Sequence, residues 1–418
     1  MSLYSIMRGA SMVKLLGMKV NTDKKIVDEI LDRGVITTFL PSKEKFREKL
    51  LSGEKIKLYI GADPTSKSLH LSHAKNYMLL EEFRKLGHEV IVLFGDFTAR
   101  IGDPSDNSNV RSQLTEKDVK ENVKEWSKQI KPLLDFSDKK NPPKIVFNST
   151  WLSKLTLEEI IELASNFTVQ HMLERDMFEK RIKNNNPIFL HEFLYPLMQG
   201  YDSVVLEVDA ELSGTDQIFN SLAGRTLLKR LKGKEKFVVA VNLMENPKTG
   251  ELMSKSRGTG VFLESFPSEM YGEIMAQPDE MIEILFINTT RVPLDEIKDM
   301  DIKNNPLESK KRAAYEIVKI IHGEKNAEKA EEEFSNIFQK KKIPDAIKEV
   351  TAVSGEKLVD ILTKEGLIKS KSEFRRLVDQ GAVSDLETKT KIADSSAIIE
   401  SDIILKIGKK HFLKIKVV

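Results

Sequence analysis

The apolar positions change period along the chain, and the changes mark elements. Residues 57–62, KLYIGA, form a short apolar run that predicts a buried strand. Leu71, Ala74, Met78, Leu79, Phe83 and Leu86 then recur at helical spacing and predict a helix over 70–86. Residues 89–97, EVIVLFGDF, return to a strand pattern. Strand, helix, strand at this spacing is a βαβ unit, which calls for a parallel sheet. Further strands are predicted at 144–148 and 236–243, and helices at 156–166 and 189–206. Beyond about residue 266 the strand pattern fades. Residues 308–340 read as charged helix with an apolar stripe of Ala313, Ile317, Ile320 and Ile321. Pro344 and Gly355 mark 343–355 as a linker. The expected division is an extension over 1–25, an α/β domain over 26–245, a helical domain over 246–342, the linker, and a small α+β unit over 356–418.

Composition narrows the class. The 418 residues carry 66 Lys+Arg against 64 Asp+Glu, a net charge of +2, which excludes a blanket polycation but leaves room for local basic patches. The length suggests two to four domains. Cysteine is absent, so disulfides and cysteine-ligated metal centres are excluded. No apolar run reaches the roughly 20 residues of a membrane-spanning helix, so a soluble protein is expected. Residues 1–22 hold Arg8, Lys14 and Lys19 and no acid. They read as a disordered extension or an upstream start before Met12 or Met18, with organelle targeting as the weaker alternative.

Two polar segments carry candidate chemistry. GADPTSKSLHLSH, residues 61–73, lies between the first strand and its helix. Gly61 lets backbone approach a ligand closely, Thr65 offers a hydroxyl, and His70 and His73 share one helical face. A helix start at the carboxyl end of a parallel strand is a favoured phosphate site. Taken alone, the histidines also fit a solvated helix, and a metal pair lacks a third ligand nearby. The second segment, NPKTGELMSKSRGTG, spans 246–260 and sets Lys255 among hydroxyls. Taken alone, it also fits a solvated turn.

Together, HLSH and MSKS resemble the paired HIGH and KMSKS signatures of class I aminoacyl-tRNA synthetases, in order, spacing and βαβ setting. YPLMQGYD, residues 195–202, puts Tyr195, Gln199 and Asp202 on one helical face, shortly before SGTDQ at 213–217. Tyr195 alone would fit core packing equally well; the combination is similar to the bacterial-type tyrosyl-tRNA synthetases. The resemblance covers about residue 26 to the C-terminus. It implies a Rossmann-like catalytic domain that joins tyrosine to ATP and then to tRNA(Tyr). It also implies that Tyr59 and Asp202 bond the substrate phenol, and that Tyr195, Gln199 and Thr98 contact its ammonium with Asp103 nearby. Asp63 and Gln217 would complete the amino-acid pocket, and Gly214 and Asp216 would meet the adenylate ribose. Thr65, His70, His73, Lys255 and Ser256 would handle ATP beside Gly61, with Arg111 on a further loop. Mg2+ would arrive with ATP, without a dedicated protein metal site. A cytoplasmic homodimer without membrane contact is implied as well.

Three positions depart from the signatures. Ser72 replaces the HIGH glycine, Leu252 replaces the first KMSKS lysine, and Asp106 and Asn107 stand where related loops carry a small or basic residue. Each weakens phosphate electrostatics, and Lys248 or Arg257 are the candidates to compensate. Residues 366–383 resemble an S-four-type RNA-binding domain, in which Lys369, Lys371, Arg375 and Arg376 would grip RNA phosphates. Tryptophanyl-tRNA synthetase shares the fold and the GxDQ pattern but is expected to lack the Tyr/Gln/Asp face. A synthetase-derived RNA-binding protein without catalysis is the reading from a different class.

Overall fold

The computed structural model describes residues 19–103, 114–174, 176–253, 260–339, 348–368, 370–386, 388, 390–408 and 411–417. Arg111, Lys255, Ser256, Lys369, Asp106, Asn107 and Arg257 lie outside the described residues. The described residues divide into two compact units. One holds everything described up to Phe266 together with Glu273–Glu324, and the other holds Pro267–Gly272 and Lys325 onward.

The first unit is built on a six-stranded sheet. Its strands are β1 (Ile36–Leu40), β2 (Lys57–Ala62), β3 (Glu89–Phe94), β4 (Lys144–Phe147), β5 (Ala210–Gly214) and β6 (Phe237–Val241). They lie in the order β1-β6-β5-β2-β3-β4, all parallel except β1, which runs antiparallel along β6. The helices that position the site are α1 (Leu71–Lys85), α2 (Glu116–Gln129), α3 (Tyr195–Leu206) and α4 (Ile218–Lys232). From β2 the chain moves out to β3 and β4 on one side and later to β5 and β6 on the other. That reversal opens a crevice at the carboxyl ends of the strands, where ligands bind in open α/β sheets.

The expected βαβ unit forms as β2-α1-β3, but β3 ends at Phe94 rather than 97. Gly95 turns the chain into a short 3-10 segment, Thr98–Arg100, and Ala99 N–H donates to Gly95 O at 2.8 Å. The helix expected over 189–206 is split: a 3-10 turn covers Leu190–Phe193, and α3 starts at Tyr195 with Pro196 in its first turn. Proline has no N–H for a continuous ladder but suits a helix start. Two strands escaped the sequence pattern. β1, ITTFL, is threonine-rich and only partly buried, and β5, AELSG, carries Glu211 at an almost fully buried position.

Helices α5 (Ile282–Thr289) and α6 (Pro306–His322) complete the unit. Ala313, Ile317 and Ile321 of the expected stripe are buried, and Ile320 is half-buried. Arg33 closes the end of α5. Its guanidinium donates to the carbonyls of Ile287 at 2.9 Å, Val292 at 3.0 Å, Phe286 at 3.2 Å and Thr290 at 2.8 Å. Phe286 and Ile287 lie in the last turn, where a helix leaves carbonyls without an intrahelical partner, and Thr290 and Val292 lie just beyond it.

In the second unit, β7 (Lys348–Ala352), α7 (Leu358–Lys364), α8 (Lys371–Asp379), β8 (Val383–Asp385), β9 (Ile403–Ile407) and β10 (His411–Val417) surround a core that includes Leu362, Phe374, Leu405, Leu413 and Ile415. The strand order is β7-β10-β9-β8, and β7 pairs parallel with β10. The segment expected as a linker over 343–355 therefore contributes a strand: alternation of Val350 and Ala352 toward the core outweighs the flanking Pro344 and Gly355. Among the described residues no helix is long and apolar enough to cross a membrane.

Arg33→Met takes a donor from four carbonyls, of which, among the described residues, only that of Phe286 keeps another, the Thr290 hydroxyl at 2.7 Å. The expected loss of stability is about 2–4 kcal/mol, measured by urea unfolding followed through intrinsic fluorescence.

Candidate active site

The residues singled out in the sequence gather at the carboxyl ends of the parallel strands. Asp63 follows β2, Thr98 follows β3, and Gln217 follows β5, while α3 carries Tyr195, Gln199 and Asp202. Thr98 Oγ1 donates to Asp63 Oδ1 at 2.6 Å, and the Tyr195 hydroxyl donates to Asp63 Oδ2 at 2.9 Å. Burial pushes the Asp63 carboxyl up to about 7, against the lowering effect of these two donors. A β-carbon on Gly95 would lie 2.0 Å from Asp63 Oδ1 and 2.3 Å from Thr98 Oγ1. Glycine is required there for Asp63 to reach Thr98.

Asp202, almost fully buried, accepts from the Trp151 indole N–H at 2.7 Å and from Asn148 Nδ2 at 3.4 Å. Burial holds its carboxyl well above the usual range despite both donors. Asn148 also donates to Thr98 Oγ1 at 3.0 Å and accepts from the Phe97 N–H at 3.0 Å. One buried amide at the end of β4 thus joins the Asp63 and Asp202 groups. Tyr59 is fully buried on β2, its hydroxyl 3.0 Å from Ser203 Oγ, and burial raises its phenol well above the ordinary value. Gln199 Nε2 donates to Glu211 Oε1 at 3.0 Å.

Beyond β5, Gln217 Nε2 donates to Asp103 Oδ2 at 2.6 Å and to Asp216 Oδ2 at 3.0 Å. The Asp216 carboxylate folds over Gly214, where a β-carbon would meet Oδ1 at 2.2 Å. Gly61 is exposed, and a β-carbon there would make only ordinary contacts of 3.7 Å with Leu93 and Tyr59. The fold itself does not demand that glycine.

The histidines sit at the start of α1. His70 occupies the N-cap, its N–H donates to His73 Nδ1 at 3.2 Å, and the ring centroids are 4.0 Å apart. Burial lowers His70 to about 4 and takes His73 well below its ordinary value, so both imidazoles are neutral near pH 7. His70 Nδ1 is buried without a hydrogen-bond partner. Thr65 is half-buried in the same loop, its N–H donating to Asp63 O at 2.8 Å. One position further along α1, after Ala74, Lys75 is almost fully buried and burial brings its ammonium down to about 7.

The two polar segments meet through their flanks. Leu71 N–H donates to Val261 O at 3.0 Å, and Leu263 N–H donates to Leu69 O at 2.9 Å. Upstream, Met253 N–H donates to Met244 O at 3.0 Å. The described residue before the Lys255 segment, Met253, is thus held beside the end of β6, and those after it, Val261 and Leu263, beside the start of α1. Lys248, a candidate to replace the missing cation, is ion-paired with Glu280. In the second unit, Arg375 and Arg376 are exposed on α8, and Lys371 pairs with Asp360 at 3.0 Å. Among the described residues no group of three His, Asp or Glu side chains is placed to hold a metal.

The profile of the tRNA synthetases class I (W and Y) matches residues 51–339. The chain is 41% identical over 406 residues to the tyrosine–tRNA ligase of Carboxydothermus hydrogenoformans, covering 93% of this chain and 97% of the relative. It is 40% identical over 395 residues to that of Thermotoga maritima, covering 93% and 96%. Among solved structures, a C-terminally truncated mitochondrial tyrosyl-tRNA synthetase of Aspergillus nidulans aligns with a TM-score of 0.65 at 22% identity, over 75% of this chain and 94% of that one. That likeness speaks for the α/β fold, and the sequence identity for the lineage. With the profile, the near-full-length identity and the scaffold in agreement, the chain belongs to the class I tRNA synthetases of the tryptophan and tyrosine branch, among the tyrosine–tRNA ligases.

Proposed function

We propose that this chain is a tyrosine–tRNA ligase that activates L-tyrosine with ATP and transfers it to the 3' end of tRNA(Tyr). The observation that carries the reading is the pair of hydrogen-bonded carboxylates on α3 and the β2 loop, Asp202 buried and Asp63 half-buried. Asp202 is held by Trp151 and Asn148, and Asp63 by Thr98 and Tyr195. A substrate with a phenol and an ammonium needs an acceptor for each. A site built to bond a hydroxyl rejects phenylalanine, because its own buried groups would go unpaired; tyrosine selection is the known example of this rule.

The tyrosine carboxylate attacks the α-phosphorus of ATP and pyrophosphate leaves. The terminal ribose hydroxyl of the tRNA then attacks the activated carbonyl and AMP leaves. The first step needs no protein nucleophile, so positioning and charge stabilisation do the work. The neutral imidazoles of His70 and His73 donate hydrogen bonds to phosphoryl oxygens, Lys255 and Arg111 supply cations, and Ser256 assists. Mg2+ enters with ATP. Asp103, Gln199 and Gln217 complete the tyrosine pocket, and Gly61, Gly214 and Asp216 lie against the nucleotide. Residues 26–245 do the chemistry, 246–342 bear the signature loop and face the anticodon side, and 356–418 grip RNA through Lys369, Lys371, Arg375 and Arg376. The protein works in the cytoplasm as a homodimer. Leu157 and Ile161, 73% and 62% exposed one helical turn apart, support a protein-covered surface.

Three measurements test this. ATP–pyrophosphate exchange is expected with tyrosine and absent with tryptophan or with no amino acid. Exchange with tryptophan, or with neither, overturns the assignment. For Asp63, the proton binds as pH falls through about 7, while the substrate ammonium stays charged. The site therefore loses a negative charge on acidification, and the tyrosine KM is expected to rise about tenfold between about pH 8 and about pH 6. Asp63→Asn should give a raised KM that no longer varies with pH. Finally, Arg375→Ala/Arg376→Ala should leave exchange unchanged and raise the tRNA KM about tenfold at low salt, less so at high salt.

A further inference from the structure

A buried ion pair stands behind two groups of the tyrosine pocket. Lys236, just before β6, has a fully buried side chain and pairs with Glu211 of β5, whose side chain is 2% exposed. The Lys236 ammonium also donates to Ser203 Oγ at 2.7 Å and lies 5.8 Å from the centre of the Tyr59 ring. Space for the ammonium comes from a glycine crossing between α3 and α4. A β-carbon on Gly224 would fall 2.6 Å from Lys236 Nζ, and one on Gly200 would fall 2.9 Å from Leu227 Cδ1.

Such a pair is not explained by stability. Desolvating both charges is costly, and well-packed apolar residues in the same volume are often at least as stable. What a buried pair supplies instead is direction. A carboxylate only accepts hydrogen bonds and an ammonium only donates. Because Glu211 Oε1 accepts from Gln199 at 3.0 Å, the Gln199 amide must turn its NH2 toward the strand, which leaves its carbonyl to face a cation. Because Ser203 Oγ accepts from Lys236, its own proton must go elsewhere. The Tyr59 oxygen at 3.0 Å is nearer than Glu211 Oε2 at 3.5 Å. With Ser203 donating to it, the Tyr59 hydroxyl keeps its proton for an acceptor, for which Glu211 and an incoming phenol oxygen compete.

We propose that the Lys236–Glu211 ion pair is a positioning device for tyrosine: it fixes the direction of the hydrogen bonds of Gln199 and Tyr59, presenting a carbonyl acceptor to the substrate ammonium and a hydroxyl donor to its phenol. This rests on the reading that Gln199 and Tyr59 line the tyrosine site. Neither Lys236 nor Glu211 touches the substrate; they act through Gln199 and Ser203.

Tyrosine-dependent exchange by the unmodified protein is the reference, and its absence defeats the tyrosine reading and this proposal together. With that exchange present, the variants test the proposal alone. Lys236→Met leaves Glu211 buried and unpaired and lowers the thermal midpoint. Lys236→Met/Glu211→Gln removes both charges at nearly constant volume, so the midpoint recovers. The amide at 211 can then offer either an oxygen or an NH2 to Gln199, and the tyrosine KM is expected to stay raised about tenfold while the ATP KM changes by less than about twofold. A wild-type tyrosine KM in the double variant, or an ATP KM that rises in parallel, overturns the proposal. Ser203→Ala keeps the ion pair and removes the Ser203 links to Tyr59 and to the Lys236 ammonium. It is expected to lower the midpoint modestly and to lower discrimination of tyrosine over phenylalanine in kcat/KM by about tenfold. Unchanged discrimination overturns the Tyr59 arm, even if the double variant does not fold.

Discussion

Two buried carboxylates, Asp202 and Glu211, and a half-buried one, Asp63, stand around one crevice, and much of the first unit is arranged to make that tolerable. An isolated carboxylate cannot stay charged away from water; it needs donors or a cation. Here each draws its partners from elements distant in sequence. Asp63 is served from the turn after β3 and from α3, Asp202 from the segment after β4, and Glu211 from α3 and the start of β6. The six-stranded order places the ends of these strands side by side. The sheet is thus a device for bringing donors to carboxyl groups withdrawn from water.

The electrostatics of the other half of the crevice run differently. The two histidines at the start of α1 are neutral, in ring contact with their planes tilted by 55°, and partly withdrawn from water, so they bring hydrogen-bond donors without a charge of their own. Neutral donors near a helix start favour an anion without trapping it. Lys75 follows them on α1, its ammonium brought down to about 7 by burial, and the flanks of the second polar segment are hydrogen-bonded to the residues leading into α1 and to those just past β6.

How much of this was legible in the chain depends on distance. The βαβ unit and the His70–His73 pair are local patterns, and period and spacing expose them directly. Tyr195, Gln199 and Asp202 fall on one helix, so their common face is also visible. Asn148, Trp151 and Gly95 are not: nothing near them in sequence announces that they hold Asp202, or Asp63 and Thr98, because the contacts form only when the sheet does. Strand β5 went unread for a chemical reason. Glu211 breaks its apolar run, and the Lys236 that makes that glutamate acceptable lies 25 residues away. In the tail, the basic helix was readable from charge, while β7 hid behind a proline and a glycine whose punctuation pointed to a linker.

The placement of β10 sets an order of events for the second unit. The last described strand is not an edge; it lies between β7 and β9 and is the only partner of β7 in the sheet. A ribosome still holding residues 411–417 in its tunnel would leave β7 unpaired and Leu413 and Ile415 missing from the core. The first unit can close its sheet before those residues emerge, whereas the second cannot.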